Sequence, residues 1–203
     1  MESEVSKKLI SLDTKIPLWD RVYTVAPMVV VGSRGVDGYD LAPKHMATPL
    51  GFGNYFGFVC TPRHCTYDNI RETRVFSVSF PTPTQIVSIS LSASPRKDLS
   101  SKAQAIISSL PTVRASSIDV LMIADAYLYL ECELYKIVDG FDDYSLLTGK
   151  IISAKVQKDY LRTSDHDEKE QLKNNPLLAY IAHGRFASIE DTYNFPFPKD
   201  FQR

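Results

Sequence analysis

Arg63, His64 and Thr66 fall within four positions in Cys60-Thr-Pro-Arg-His-Cys-Thr-Tyr-Asp-Asn-Ile-Arg-Glu-Thr73, a segment that reads as a strand end, a loop and a short helix. A hydroxyl at Thr66 suits an N-cap, because its oxygen can accept a bond from an exposed N–H two or three residues on. Free N–H groups and the positive end of that helix then meet the side chains of Arg63 and His64 in one small volume. Binding of a phosphate is the chemistry such a cluster performs. A second reading of the same residues stays open, in which Thr66 only caps the helix and Arg63 is a solvated surface residue.

The other reactive side chains point to less. Cys60, His64 and Cys65 place two thiols and an imidazole close together, but no second cysteine pair follows downstream, and a structural zinc takes four ligands. No metal site is expected. Cys65, beside Arg63 and His64, is either a thiol of lowered pKa or a small residue tolerated in a loop, the second being the simpler account. Cys132 falls on the apolar side of an alternating run and belongs to the core. His166 stands in the charged stretch Thr163-Ser-Asp-His-Asp-Glu-Lys-Glu170 and is given no role.

The elements that must position these residues are short and rich in β-formers. Residues 22–31 (VYTVAPMVVV) are apolar almost throughout, as in a strand covered on both faces, with Pro27 marking a bulge or edge. Gly32 to Gly38 supplies the glycines of a turn, and Tyr39 to Pro43 returns as a second strand. Tyr55 to Cys60 and Val75 to Phe80 read as further strands. From Tyr127 to Val138 the chain alternates, with Leu128, Leu130, Cys132 and Leu134 on one face and Tyr129, Glu131, Glu133 and Tyr135 on a face open to water or to a second subunit. A turn at Asp139 to Asp143 and a strand over Leu146 to Val156 complete a long antiparallel hairpin. Leu99 to Leu110 has helical spacing. The pattern of Thr84 to Ser92 is that of a strand.

The chain has 203 residues, which predicts one domain over 1–203 with its core at about 20–190. With 23 basic and 24 acidic residues and a net charge of -1, no cationic surface is concentrated enough for nucleic acid. A composition of 44% hydrophobic and 23% charged residues excludes a disordered chain. No apolar run approaches the roughly 20 residues of a membrane helix. Three cysteines and a polar N-terminal segment are the marks of a cytoplasmic protein. Residues 158–203 end in Phe195-Pro-Phe-Pro, too aromatic for a free tail, and are expected to pack on the barrel or on a dimer partner.

Taken in order, Pro27-Met-Val-Val-Val-Gly-Ser-Arg-Gly, Gly38-Tyr-Asp-Leu-Ala-Pro43, Thr48-Pro-Leu-Gly-Phe, Phe58-Val-Cys-Thr-Pro-Arg-His and Thr66-Tyr-Asp-Asn-Ile-Arg-Glu-Thr resemble the flavin reductase-like family of FMN-binding split β-barrels. Glu131-Cys-Glu-Leu-Tyr-Lys-Ile-Val, Leu147-Thr-Gly-Lys-Ile-Ile-Ser-Ala and Pro176-Leu-Leu-Ala-Tyr-Ile-Ala-His-Gly-Arg-Phe extend the resemblance to about residue 190. It implies a mainly β fold: a six-stranded Greek-key split barrel with peripheral helices, assembled as a homodimer. The family also puts a helix at Thr84 to Ser92, and this is preferred over the strand pattern, because β preference yields to tertiary context.

By the same resemblance, FMN is held non-covalently. His45, Met46, Ala47 and Thr48 become neighbours of its ring or ribityl chain, and Thr61, Arg63, His64 and Thr66 its phosphate ligands. His45 and Met46 depart from the small hydroxyl residue and aromatic common in the family. His183 stands where the family often carries a residue near the nicotinamide or flavin. The implied activity is hydride transfer from NADH or NADPH to FMN and on to a flavin or other small acceptor, which needs no side-chain nucleophile. Two alternatives remain: an electron carrier of flavoredoxin type reduced by a partner protein, and a barrel that has lost FMN.

Overall fold

Val29, Val30 and Val31 are all fully buried, because the strand they open is covered on both faces. The computed structural model describes residues 9–93, 101–163, 167–182 and 184–199, with the backbone alone for 101–104. In chain order the elements are β1 (Val25–Pro27), β2 (Val29–Gly35), β3 (Gly38–Lys44), β4 (Ala47–Pro49), β5 (Tyr55–Cys60), α1 (Cys65–Thr73), β6 (Val75–Phe80), α2 (Ile86–Ser92), α3 (Ser101–Ser109), β7 (Thr112–Arg114), β8 (Leu121–Ile123), β9 (Leu128–Phe141), β10 (Tyr144–Val156), α4 (Glu168–Asn174), β11 (Leu177–Ile181) and β12 (Arg185–Ile189).

One antiparallel sheet of seven strands, ordered β3-β2-β6-β9-β10-β5-β4, forms the body. Only His45 and Met46 separate β3 from β4, so one stretch of chain pairs with β2 before the break and with β5 after it, and the two edges of the sheet are drawn together into a split barrel. This break is why seven strands appear where six are expected. The inner face carries Val29, Val31, Phe56, Phe58, Phe76, Val78, Leu130, Cys132 and Leu147, closed at one end by Tyr67 and Ile70 of α1. Each fully buried aliphatic or aromatic side chain there contributes about 1.5–3 kcal/mol. Gly149 exists for this packing: a Cβ there would come within 2.5 Å of the Phe76 ring.

A second apolar cluster lies on the outer face of the sheet, where Val30 and Leu41 meet Ile89 of α2, Ile107 of α3, Leu110, Ile123 of β8 and Leu178 of β11. Here Ser77 and Ser79, the outward residues of β6, are buried yet satisfied. The Ser77 hydroxyl donates to the Leu121 carbonyl at 2.8 Å, and the Ile123 N–H donates to Ser79 Oγ at 3.2 Å. Gly32 lets β8 approach this closely, since a Cβ would stand 2.0 Å from the Leu121 carbonyl oxygen.

Several expectations are corrected by these contacts. The apolar run over residues 22–31 is two strands broken at Met28: β1 leaves the barrel to pair with β11, which in turn pairs with β12 in a three-stranded sheet. Residues 177–189 of the C-terminal segment are thereby built into the fold, in line with a core that extends to about residue 190. The turn expected over Gly32 to Gly38 shrinks to Val36 and Asp37, because β2 runs on to Gly35, which pairs with Gly38. Thr84 to Ser92 is helical, with α2 led in by a capping box between Thr82 and Gln85, as the resemblance and not the alternation implies. Glu131, expected on an open face, is 2% exposed: Ser116 and Ser117 fold over it and donate three hydrogen bonds of 2.6–3.0 Å to its carboxylate. Its neighbours Glu133 and Tyr135 are exposed as expected. Among the described residues, no helix is long and apolar enough to cross a membrane.

Candidate functional site

The register of β4 against β5 brings the two candidate segments together. Ala47 lies opposite Phe58, and the Val59 N–H donates to the Met46 carbonyl at 2.8 Å, so residues 45–48 run alongside the strand whose end leads into Thr61. Ala47 points into the barrel core, which leaves only its backbone for a ligand. Met46 and Thr48 are exposed, while His45 is half-buried with its ring on that of Tyr180 from β11. β4 ends the sheet, so its second edge offers backbone donors and acceptors in the way an unpaired strand does.

After β5, the His64 N–H bonds the Thr61 carbonyl at 3.1 Å and the Arg63 N–H bonds Thr61 Oγ1 at 3.3 Å, a tight turn that delivers the chain into α1. The N-cap of α1 is His64, in extended conformation and with no hydrogen bond from its side chain to the helix, which corrects the assignment of that role to Thr66. Thr66 stands inside the first turn and is buried. Its hydroxyl donates to Asp40 Oδ2 at 2.7 Å and is committed to holding the helix on β3. The Ser33 hydroxyl bonds the same carboxylate oxygen at 3.4 Å and accepts from the Asn69 amide at 3.2 Å, which completes the clamp from β2. On the other flank, the Tyr67 hydroxyl reaches Asp139 Oδ1 at 3.2 Å.

Thr61 is half-buried and His64 exposed, so both border this turn. Arg63 is exposed as well, and its guanidinium is paired with Asp143 at 2.8 Å in the turn between β9 and β10. His183 lies outside the described residues, although the N–H of its neighbour Gly184 donates to the Tyr180 hydroxyl at 2.9 Å. The sequence reading thus brings its ring-side and phosphate-side candidates to one end of β5, but misses Lys44, Asp40, Ser33 and Tyr180. Period-two alternation along β3 would have set Asp40 and Lys44 on one face; nothing local announces Tyr180.

Two thiols also belong to this corner. Burial pushes the Cys60 thiol up, against the weaker opposing pull of the Lys44 ammonium and the Tyr67 N–H. Burial likewise raises Cys65, though it is the outermost of the three cysteines. Neither is a ready nucleophile at neutral pH. Among the described residues, no group of three His, Cys, Asp or Glu side chains is placed to hold a metal ion.

The geometry suits a phosphorylated planar ligand. His64 gives the first turn of α1 no side-chain cap, its Cys65 and Thr66 N–H groups face the weakly accepting Cys65 sulfur, and the outermost strand of the sheet, β4, lies alongside β5, which leads into this turn.

The chain matches the flavin reductase like domain over residues 22–189. No curated protein matches it. Among solved structures, it resembles the FMN-binding protein of Thermus thermophilus with bound 1-cyclohex-2-enone at 22% identity and a TM-score of 0.74, covering 92% of this chain and 99% of that one. Flavoredoxin from Methanosarcina acetivorans superposes with a TM-score of 0.74 at 16% identity, covering 95% and 97%. The Pseudomonas fluorescens 2-nitrobenzoate 2-nitroreductase gives 0.72 at 21% identity, covering 92% and 91%. The chain, a split β-barrel whose clamped helix and open strand edge meet at one end of β5, belongs to the flavin reductase-like domain family.

Proposed function

We propose that this protein binds FMN non-covalently and acts as an oxidoreductase, accepting hydride from NADH or NADPH and passing electrons to a flavin or another small acceptor. The observation that carries the reading is the uncapped first turn of α1 lying next to the exposed edge of β4, since one suits a phosphate and the other the polar rim of a flat ring. FMN-binding proteins and a nitroreductase of the same fold support it. When bound, the flavin supplies the hydride chemistry. The protein's own residues bind and orient: Thr61, Arg63, His64 and the backbone of Thr66 at the phosphate, and His45, Met46 and Thr48 with the Ala47 backbone along the ring, with His183 carried over from the family resemblance as the candidate for the nicotinamide side.

A homodimer is part of the same proposal. Tyr135 and Phe141 remain about half exposed or more on the β9–β10 hairpin, as do Tyr193 and Phe195 at the C-terminal end, and a second copy would cover such surface. The unpaired state of all three cysteines suits a cytoplasmic setting.

The deciding experiment is the visible spectrum of protein incubated with FMN and desalted, followed by anaerobic addition of NADH or NADPH. Retained yellow colour that bleaches rapidly is expected. A yellow protein that bleaches only when a separate reductase is added would make it a carrier, and a colourless one would end the flavin reading.

A further inference from the structure

His45 and Met46 stand between two ladders: β3 ends with Lys44 opposite Val29, and β4 begins with Ala47 opposite Phe58. No pleat therefore sets the direction of the His45 side chain, although the residue is half-buried beside the exposed edge of β4. Tyr180 is placed in the opposite way. It lies in the middle strand of the three-stranded sheet, with Ala26 of β1 and Phe186 of β12 as its partners on either side. Its hydroxyl oxygen accepts the Gly184 N–H at 2.9 Å, so the side chain is held at its far end as well as at its backbone. That ring meets the His45 imidazole with centroids 4.4 Å apart and planes 31° apart. A side chain whose own segment leaves its direction open is thus seated by one that two strands and a backbone hydrogen bond hold in place.

We propose that Tyr180 is a positioning residue for the flavin: by stacking on His45 it presets the imidazole in the orientation that the bound ring or its ribityl chain meets. The proposal rests on the flavin reading for the ligand and for the place of His45 beside it. Preorganisation is the physical gain. A side chain that must be ordered as a ligand arrives weakens binding by about two- to tenfold, and one already held does not. Tyr180 has this effect through His45, with no contact of its own to the cofactor. The β1–β11–β12 sheet, whose ladder is separate from that of the barrel, thereby becomes part of the site.

Fluorescence titration with FMN, together with the visible spectrum at saturating FMN, tests this in the parent, Tyr180→Leu and Tyr180→Phe. Tyr180→Leu keeps an apolar side chain and removes the ring. It is expected to lose about two- to tenfold in FMN affinity and to shift the visible maximum of the bound flavin, since the imidazole no longer rests where the ligand meets it. Tyr180→Phe, which keeps the ring, should restore both. Introduced together with His45→Ala, Tyr180→Leu should cause no further loss, because the residue it acts through is gone. A Tyr180→Leu protein that melts lower but binds FMN with unchanged affinity and spectrum would overturn the role, as would a Tyr180→Phe protein as impaired as Tyr180→Leu, or losses that add to those of His45→Ala. A parent that takes up no FMN would end the flavin reading, and this proposal with it, before any variant is compared. Should Tyr180→Leu not fold, Tyr180→Val, suited to a central strand, takes its place.

Discussion

The ring of His45 lies on that of Tyr180, centroids 4.4 Å apart and planes 31° apart, and this contact ties β11 to the break between β3 and β4. The β1–β11–β12 sheet is thereby fastened to the strand edge proposed to border the flavin ring. An aromatic pair in such geometry contributes about 0.5–1.5 kcal/mol beyond the area it buries. A double-mutant cycle of His45→Ala and Tyr180→Ala, followed by urea unfolding, should return a coupling energy in that range. Additive effects would mean that the stack does not persist in solution.

Arg63→Ala should weaken FMN more than riboflavin, by about two- to fivefold, since an exposed charge contributes on the order of 1 kcal/mol or less. Asp143→Ala should shift FMN affinity the other way by releasing the guanidinium from its present partner. Fluorescence titration of both variants checks this; identical losses for the two flavins on removing Arg63 would refute its contact with phosphate.

Glu131 makes the barrel sensitive to acid. Burial pushes its carboxyl up, but the Ser116 hydroxyl, the Ser116 and Ser117 N–H groups and the Lys155 charge together outweigh burial and hold it below its ordinary value of 4.5. A depressed folded pKa contributes stability that is present above the unfolded value and is lost as pH falls through the folded one. Stability should therefore decline from about pH 4.5 downward. Glu131→Gln should flatten that acid limb and cost about 1–3 kcal/mol at pH 7, because the amide nitrogen cannot accept the Ser117 N–H. Denaturant melts between pH 3 and 7 measure both; an unchanged acid limb in the variant would assign the decline elsewhere.

Gly149→Ala should cost about 1–3 kcal/mol, since the added methyl meets the Phe76 ring at 2.5 Å and the Cys132 Cβ at 2.9 Å in a core already filled. The double change Gly149→Ala with Phe76→Leu should recover part of the loss. Chemical denaturation reads this directly, and a neutral Gly149→Ala would show that the inner face is looser than its contacts indicate.

Much of the barrel is legible because its strands carry their own signatures. Val75 to Phe80 and Tyr55 to Cys60 match β6 and β5 residue for residue, because β-branched and aromatic side chains alternating at period two specify a pleated strand locally. The loop from Thr61 into α1 is readable for a similar reason: a turn followed by helix-forming residues needs no distant partner.

What the sequence by itself determined, then, is the family and the main strands of the barrel, β2, β3, β5, β6, β9 and β10. Tertiary structure alone decided what each candidate side chain meets. Thr66 looked like a cap, but a carboxylate 26 positions earlier draws its hydroxyl inward. Arg63 looked like a phosphate ligand, but Asp143, 80 positions later, holds it in this structure. Glu131 looked solvated until a loop folded over it, and Lys44 looked unremarkable until β3 turned it toward Cys60. Local propensity is set by neighbours in the chain, whereas burial, charge pairing and the partner of each polar atom are set by segments that meet only when the sheet closes.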